Sequence, residues 1–368
     1  MKILYVISST QTGGAEKALS VLANAMHKTG NKIKVLCIKP LGKVACEMEK
    51  EGIEIKSIYS KLPGKIIKHI HEEIKQFQPD IVHAMLFRAI EYTRMACAGS
   101  KTKLVVTPHF DLSKKSFLLR LADRFLKVQD TLAIAESFST AEYLIKQQGY
   151  AKDKVFLLPN SIDKTEFYKD ISLREQERAQ NGFHVKTVVF LCVARLAGVK
   201  DPMTLLQAFR NLWLRHPDAR LIYVGEGEER KRLEQYIETS GLKNSVILAG
   251  EQDRINDYLN MADVFVLPSL EESLPLALLE ALQVGLPCVV SNVGDMPRWV
   301  EHGKNGYVFN PQDITLLSCF LNILFENEGV RRQMGEKSLE KAAQIEDNLT
   351  HYQQIYQQLV SGKFSREN

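Results

Sequence analysis

Two glutamates with seven residues between them, Glu272 and Glu280, lie in the stretch Pro268-Ser269-Leu270-Glu271-Glu272-Ser273-Leu274-Pro275-Leu276-Ala277-Leu278-Leu279-Glu280. The apolar run Val264–Leu267 before it predicts a strand. The apolar run after it predicts a helix with proline at or near its first position, where a missing N–H costs nothing. The backbone N–H groups from Ser273 onward, those of Leu274 and Leu276 among them, then form an anion site at a helix amino end, suited to a diphosphate. Carboxylates beside a phosphate cradle repel it unless they face hydroxyls. Sugar and ribose oxygens are therefore the partners expected of Glu272 and Glu280.

Other patterns narrow the chemistry by exclusion. Gly225-Glu226-Gly227 follows a predicted strand, but the third glycine position of a dinucleotide fingerprint is Arg230, which argues against an NAD enzyme. No Asp-x-Asp pair occurs, which argues against a metal held through that motif. The six cysteines (Cys37, Cys46, Cys97, Cys192, Cys288, Cys319) are scattered, form no CxxC pair and have no histidine at zinc spacing. They read as reduced core thiols of a cytosolic protein.

The elements that must position these residues are parallel strands alternating with crossover helices. In the first half the strand candidates are Ile3–Ile7, Val35–Ile38, Ile53–Ile58, Ile81–Ala84, Leu104–Thr107, Thr131–Ala135 and Val155–Leu158. An amphipathic helix starts near Ala15 and closes at Gly30. The polar stretch from Lys169 to Asn181 has no apolar period and reads as a linker. A second series follows: Thr187–Val193, Arg220–Val224, Ser245–Leu248, Val264–Leu267 and Pro287–Val290, then helices over Ile314–Phe325, Val330–Ala343 and Asn348–Val360. The expectation is two Rossmann-like doubly wound α/β domains, 1–168 and 169–345, with a C-terminal helix in 346–368. Tandem domains of this kind bind ligands in a cleft at the carboxyl ends of their sheets.

At 368 residues, 45% hydrophobic and 25% charged, the composition is that of an ordinary globular chain long enough for two cores. The opening apolar run is too short for a signal peptide or a membrane span. The net charge of +4 conceals an asymmetry of +10 over residues 1–165 against −6 over the remainder. A basic lobe suits a phosphate-bearing substrate or an anionic membrane face. The segment 113–127 is both basic and amphipathic, with a core-packed helix as the simpler reading and membrane docking as the other. No nucleic-acid module and no aromatic platform interleaved with the charges is present.

The glutamate pair and its surroundings resemble a known family. The chain is similar to the retaining glycosyltransferases of family 4, of GT-B fold, whose signature is two glutamates separated by seven residues. Ala194-Arg195-Leu196 with Lys200-Asp201 resembles that family's diphosphate clamp, and Val224-Gly225-Glu226-Gly227 its glycine turn. Leu158-Pro159-Asn160-Ser161-Ile162-Asp163 with Phe167 resembles the domain-joining segment, and Gly13-Gly14-Ala15-Glu16 the first-loop motif. Two positions depart from the pattern: Ser273 and Ser161 stand where the family commonly has glycine.

The resemblance implies a two-domain enzyme that moves a sugar from a nucleotide sugar to a glycan or lipid-linked glycan, with no cofactor and no metal. UDP is favoured as the donor nucleotide, with GDP as the other choice. Glu272 would hold the donor sugar's hydroxyls and Glu280 the ribose. Arg195 and Lys200 would neutralise the diphosphate and the charge growing on the leaving oxygen. Gly14 would let the first loop approach the donor, Gly225 would lie in the donor site, and Ser273, Leu274 and Leu276 would offer backbone amides.

Alone, Glu280 reads as a solvated helix carboxylate and Arg195 as half of a surface ion pair; their joint spacing favours donor binding. His109 is implied near the transferred sugar, although a lone histidine at a strand end is as often a packed one. His69 and His83 read as structural. Glu16 is implied at the acceptor, and its local role is to favour the positive end of the first helix. The enzyme would be cytoplasmic and peripheral on the membrane. The alternatives are a GT-B-fold nucleotide-sugar epimerase and a non-catalytic sugar-nucleotide sensor or scaffold.

Overall fold

The computed structural model describes residues 1–109 and 117–362. It divides into two compact units, Met1–Asn160 with Asp347–Asn368, and Ser161–Glu346. In unit 1 the strands are β1 (Lys2–Ile7), β2 (Lys32–Cys37), β3 (Glu54–Ser57), β4 (Ile81–Met85), β5 (Lys103–Thr107), β6 (Asp130–Ala135) and β7 (Val155–Leu157). All pair in parallel in the order β3-β2-β1-β4-β5-β6-β7. The chain turns back on itself between β1 and β4, where Tyr5 opposes Val35 on one side and His83 on the other.

Parallel strands covered on both faces carry continuous apolar runs, and β1 shows why. Its side chains alternate: Leu4 and Val6 enter one core with Ile66, Ile70 and Phe77 of the helix Pro63–Phe77. Ile3, Tyr5 and Ile7 enter another with Leu19, Leu22 and Met26 of the helix Gly14–Lys28. Ile355, Tyr356 and Leu359 of the last helix, Asn348–Ser361, lie in that second core.

Polar contacts fasten the last helix. Tyr356 Oη lies 2.6 Å from His83 Nδ1, and His83 Nε2 lies 2.8 Å from Thr107 Oγ1. Asn348 Nδ2 donates to Pro159 O at 2.5 Å. At the other end Lys103 Nζ donates to the carbonyls of Leu359 and Val360, a cation where the helix dipole is negative. Burial pushes the His83 imidazole down to about 3. His83 is therefore a neutral structural residue.

Unit 2 holds β8 (Val188–Val193), β9 (Ala219–Val224), β10 (Val246–Leu248), β11 (Val264–Leu267), β12 (Cys288–Ser291) and β13 (Gly306–Phe309). The order is β10-β9-β8-β11-β12-β13, again parallel, with the switch point between β8 and β11. β13 was not among the expected strands. It is four residues long, opens on glycine and lies at the sheet edge beside β12, so it lacks the apolar run of an inner strand.

Three further expectations are corrected. The units part between Asn160 and Ser161, not at 168/169. The stretch read as a linker contains the helix Ile171–Gln180, which docks through arginines and so shows no apolar period. Arg178, itself buried, donates to Met261 O, Thr187 O and Asp263, and Arg174 donates to Asp263 and to the carbonyls of Asn260 and Ala262. Cys37, Cys97, Cys192 and Cys288 are buried free thiols, whereas Cys46 and Cys319 are exposed, which corrects the reading of all six as core residues. Among the described residues no helix is long and apolar enough to cross a membrane.

Candidate active site

Apart from Leu276 and Glu280, which lie on the helix Leu276–Val284, the signature residues of unit 2 fall on loops leaving the carboxyl ends of its strands. The loop after β8 carries Arg195 and Lys200, the loop after β9 carries Gly225, and the loop after β11 carries Ser269, Glu272 and Ser273. β8 and β11 flank the switch point, where strand connections diverge in opposite directions and leave room for a ligand. The two loops meet there: Leu270 N donates to Val199 O at 2.9 Å.

The central contact is an ion pair. Lys200 Nζ lies 2.5 Å from Glu272 Oε1, with the lysine side chain 24% exposed and the glutamate 8%. Ser269 Oγ donates to the same Oε1 at 2.8 Å. The carboxylate expected to meet sugar hydroxyls and the lysine expected to meet phosphate therefore hold each other in this structure. Arg195 is exposed and makes no ion pair among the described residues. Lys200 is followed by Asp201, whose left-handed backbone (φ 46°) starts the helix Pro202–Trp213 and whose carboxylate accepts from Thr204 Oγ1 at 2.6 Å.

Gly225 holds the Arg195 loop from below. Its φ is 140°, and a Cβ there would lie 2.0 Å from Ala194 O, so only glycine lets the turn after β9 abut the turn after β8. Its structural work is thus to seat Arg195. Ser273 is half-buried and its carbonyl accepts from Asp295 N at 2.8 Å. Leu274 is buried and Leu276 half-buried. The helix Leu276–Val284 begins after Pro275 with no side-chain cap, so its first-turn amides carry the partial positive charge expected of a helix start. Glu280 is buried on that helix.

Two supports of this loop lie outside the residues singled out from the sequence. Ser269 is fully buried, and its carbonyl accepts from Ser291 Oγ at 2.5 Å. Gly294 (φ 54°) brings the turn after β12 so close that a Cβ would lie 2.2 Å from Glu272 O. The signals were there: a serine within the glutamate stretch, and the turn-forming Asn292-Val293-Gly294-Asp295 after a strand. Beneath the ion pair, burial pushes the Cys192 thiol up to about 12, which makes it inert as a nucleophile.

Unit 1 carries the remaining candidates. His109 follows β5 with a left-handed backbone (φ 50°), a conformation that non-glycine residues hold only where the surroundings impose it. Its Nδ1 lies 3.9 Å from Glu136 Oε1, and its buried Nε2 has no hydrogen-bond partner among the described residues. Burial lowers the imidazole, with Glu136 opposing, so His109 is neutral. A Cβ at Gly14 would meet no described atom, so the space there belongs to solvent or a ligand, not to packing. Glu16 lies in the first turn of the helix Gly14–Lys28, with its carboxylate folded back toward Gly13.

Of the basic segment 113–127, residues 113–116 lie outside the described residues. The helix Phe117–Leu126 follows them. Buried Arg94 holds it: Nη1 donates to Asp123 Oδ1 at 2.5 Å and to Glu91 at 2.6 Å, and Nε and Nη2 grip Asp130 at 3.0 and 2.6 Å. Phe125 and Val128 are more than two-thirds exposed, at 71% and 74%.

Comparison with known proteins agrees with this geometry. The family model described as Glycosyltransferase Family 4 matches residues 12–166, and Glycosyl transferases group 1 matches residues 174–341. The chain belongs to the family 4 glycosyltransferases of GT-B fold and is a glycosyltransferase.

It is 29% identical to the UDP-Gal:alpha-D-GlcNAc-diphosphoundecaprenol alpha-1,3-galactosyltransferase of Escherichia coli, covering 71% of this chain and 69% of that protein. It is 23% identical to the N-acetyl-alpha-D-glucosaminyl L-malate synthase of Bacillus anthracis, covering 85% of this chain and 77% of that one. The Anabaena Alr3699/HepE structure in complex with UDP-glucose shares the fold, with a TM-score of 0.86, 24% identity, and coverage of 98% of this chain and 100% of that one.

Proposed function

We propose that this enzyme transfers a hexose or N-acetylhexosamine from a UDP-sugar to a glycan or lipid-linked glycan acceptor, with retention of anomeric configuration and without a metal ion. The observation that carries the reading is the Lys200–Glu272 pair, with exposed Arg195 on the same loop as Lys200, at the unit 2 switch point. A diphosphate arriving at the amides from Ser273 onward competes with Glu272 for Lys200 and engages Arg195, leaving the carboxylate to accept sugar hydroxyls. Glu280, on the helix that begins there, accepts from the ribose. Gly14, Glu16 and His109 of unit 1 serve the first loop, the acceptor and the transferred sugar. UDP as the nucleotude's identity is supported by relatives: the E. coli protein is named for UDP-Gal, and the HepE crystals hold UDP-glucose.

Retention proceeds by attack on the face from which the nucleotide leaves. The acceptor oxygen bonds to the anomeric carbon as that carbon's bond to the β-phosphate oxygen breaks. The bonding electrons depart on the phosphate, which also takes the acceptor's proton. Arg195 and Lys200 stabilise the charge on the leaving group, the cationic service that a metal supplies elsewhere.

Thermal unfolding of the full chain with saturating UDP or GDP tests the donor reading. Ligand at about 100 times its dissociation constant adds about 2.7 kcal/mol to the native state. The expected outcome is a rise with UDP that Arg195→Ala abolishes; no rise with either nucleotide would overturn the reading. Docking on an anionic membrane is supported by exposed Leu121, Phe125 and Val128 beside exposed Arg124. Cosedimentation with phosphatidylglycerol vesicles, reduced by Phe125→Ser and absent with phosphatidylcholine, is the expected result.

A further inference from the structure

We propose that Ser269 is a positioning residue of the donor site, whose hydroxyl orients the Glu272 carboxylate so that Oε2 is presented to a hydroxyl of the donor sugar. The inference rests on the reading of this site as a nucleotide-sugar site. Ser269 and Ser291 are both fully buried, and a buried hydroxyl costs free energy unless bonded. Ser269 is bonded at both ends: Oγ donates to Glu272 Oε1 at 2.8 Å and its carbonyl accepts from Ser291 Oγ at 2.5 Å.

The two oxygens of Glu272 are treated unequally. Oε1 accepts from Ser269 and from Lys200, while Oε2 has no hydrogen-bond donor among the described residues. The two donors to Oε1 also differ in kind. Lys200 is a partly exposed ammonium on a flexible stem, suited to turning toward a phosphate. Ser269 is short, neutral and enclosed, and stays where it is. Once a diphosphate draws the lysine away, Ser269 is the donor that keeps Oε1 in place and the carboxylate from rotating. The backbone is fixed as well, because Gly294 abuts Glu272 O and Asp295 N holds Ser273 O at 2.8 Å. Ser269 therefore acts on the sugar end of the donor and leaves the nucleotide end alone.

Calorimetric titration of the full chain with UDP, UDP-glucose, UDP-galactose and UDP-N-acetylglucosamine tests this. In Ser269→Ala the affinity ratio between the preferred UDP-sugar and UDP falls by about 10-fold, one charged hydrogen bond's worth, while UDP affinity is unchanged. Ser269→Thr, which keeps the hydroxyl, restores the ratio. Ser291→Ala, which removes a buried hydroxyl but leaves Ser269 Oγ on Glu272, lowers the melting temperature without moving the ratio.

Equal weakening of UDP and UDP-sugar in Ser269→Ala, or no change in either, would overturn the assignment. A wild-type protein that binds UDP but does not distinguish it from any UDP-sugar would overturn it too. Failure of wild type to bind UDP at all would instead remove the donor-site reading beneath it.

Discussion

Both units turn their chain at a switch point in the same strand order, and they place opposite electrostatics around it. In unit 2 Lys200 and Glu272 touch at 2.5 Å, and exposed Arg195 lies on the same loop as Lys200. In unit 1 the groups on β4 and after β5 are imidazoles kept neutral by burial, His83 strongly and His109 against the pull of Glu136. A partly exposed lysine already paired to a carboxylate can exchange that partner for a phosphate, because the cation has met part of its desolvation cost. A neutral imidazole offers hydrogen bonds without drawing anions. The lesson is that the strand order sets where loops converge, and the loop residues set what converges on them.

The contrast can be broken from the unit 2 side. Lys200→Ala leaves Glu272 without its cation and, on the proposed function, the leaving group without one of two stabilisers. Turnover is expected to fall by about 10²–10³, the usual cost of losing one transition-state partner. Steady-state release of nucleoside diphosphate measures it, and a change under 3-fold, on the same scale, would mean that the pair is merely structural.

A smaller effect comes from the support beneath. Gly225→Ala forces a Cβ into Ala194 O and strains a φ of 140°. Roughly 2–3 kcal/mol of stability should be lost, seen as a lower denaturation midpoint with weaker UDP binding, because the Arg195 loop shifts with it.

Unit 1 gives the mildest and most pH-dependent test. The folded pKa of His83, about 3, lies below the ordinary 6.5, so the folded state binds fewer protons than the unfolded one between those values. Its contribution is fully present above pH 6.5 and declines as pH falls toward 3, at up to about 1.4 kcal/mol per pH unit. His83→Gln should flatten this part of the stability profile of chemical denaturation measured between pH 5 and 7. An unchanged slope would mean that the imidazole is not held neutral.

Legibility in the sequence followed the apolar pattern. The inner strands were readable because they are nearly continuous runs of buried apolar residues, as in residues 188–192 and Val264–Leu267. The helix Ile171–Gln180 was not, because its contacts are made by Arg174 and Arg178 with Asp263, and arginines carry no periodic apolar signal. β13 lacked length, and the exposure of Cys46 and Cys319 depends on which helix face meets the core.

At the site, the local residues pointed to Glu272, and the family resemblance pointed to Lys200 and Arg195. That Lys200 and Glu272 are in contact was not visible, since 72 positions separate them and only the adjacency of β8 and β11 joins their loops. Ser269, three positions from Glu272, and Gly294 carried only generic signals, a serine in a loop and a turn glycine. What each does shows in what lies against it: the carboxylate of Glu272 in one case, its carbonyl in the other.

The most direct measurement is a crystal structure of the full chain with UDP. The diphosphate is expected at the amides from Ser273 to Leu276, in contact with Arg195 and with Lys200 turned from Glu272 Oε1 onto a phosphate oxygen, while Ser269 Oγ remains on the carboxylate. UDP bound elsewhere, or bound with the Lys200–Glu272 pair intact and no phosphate at Arg195, would contradict it.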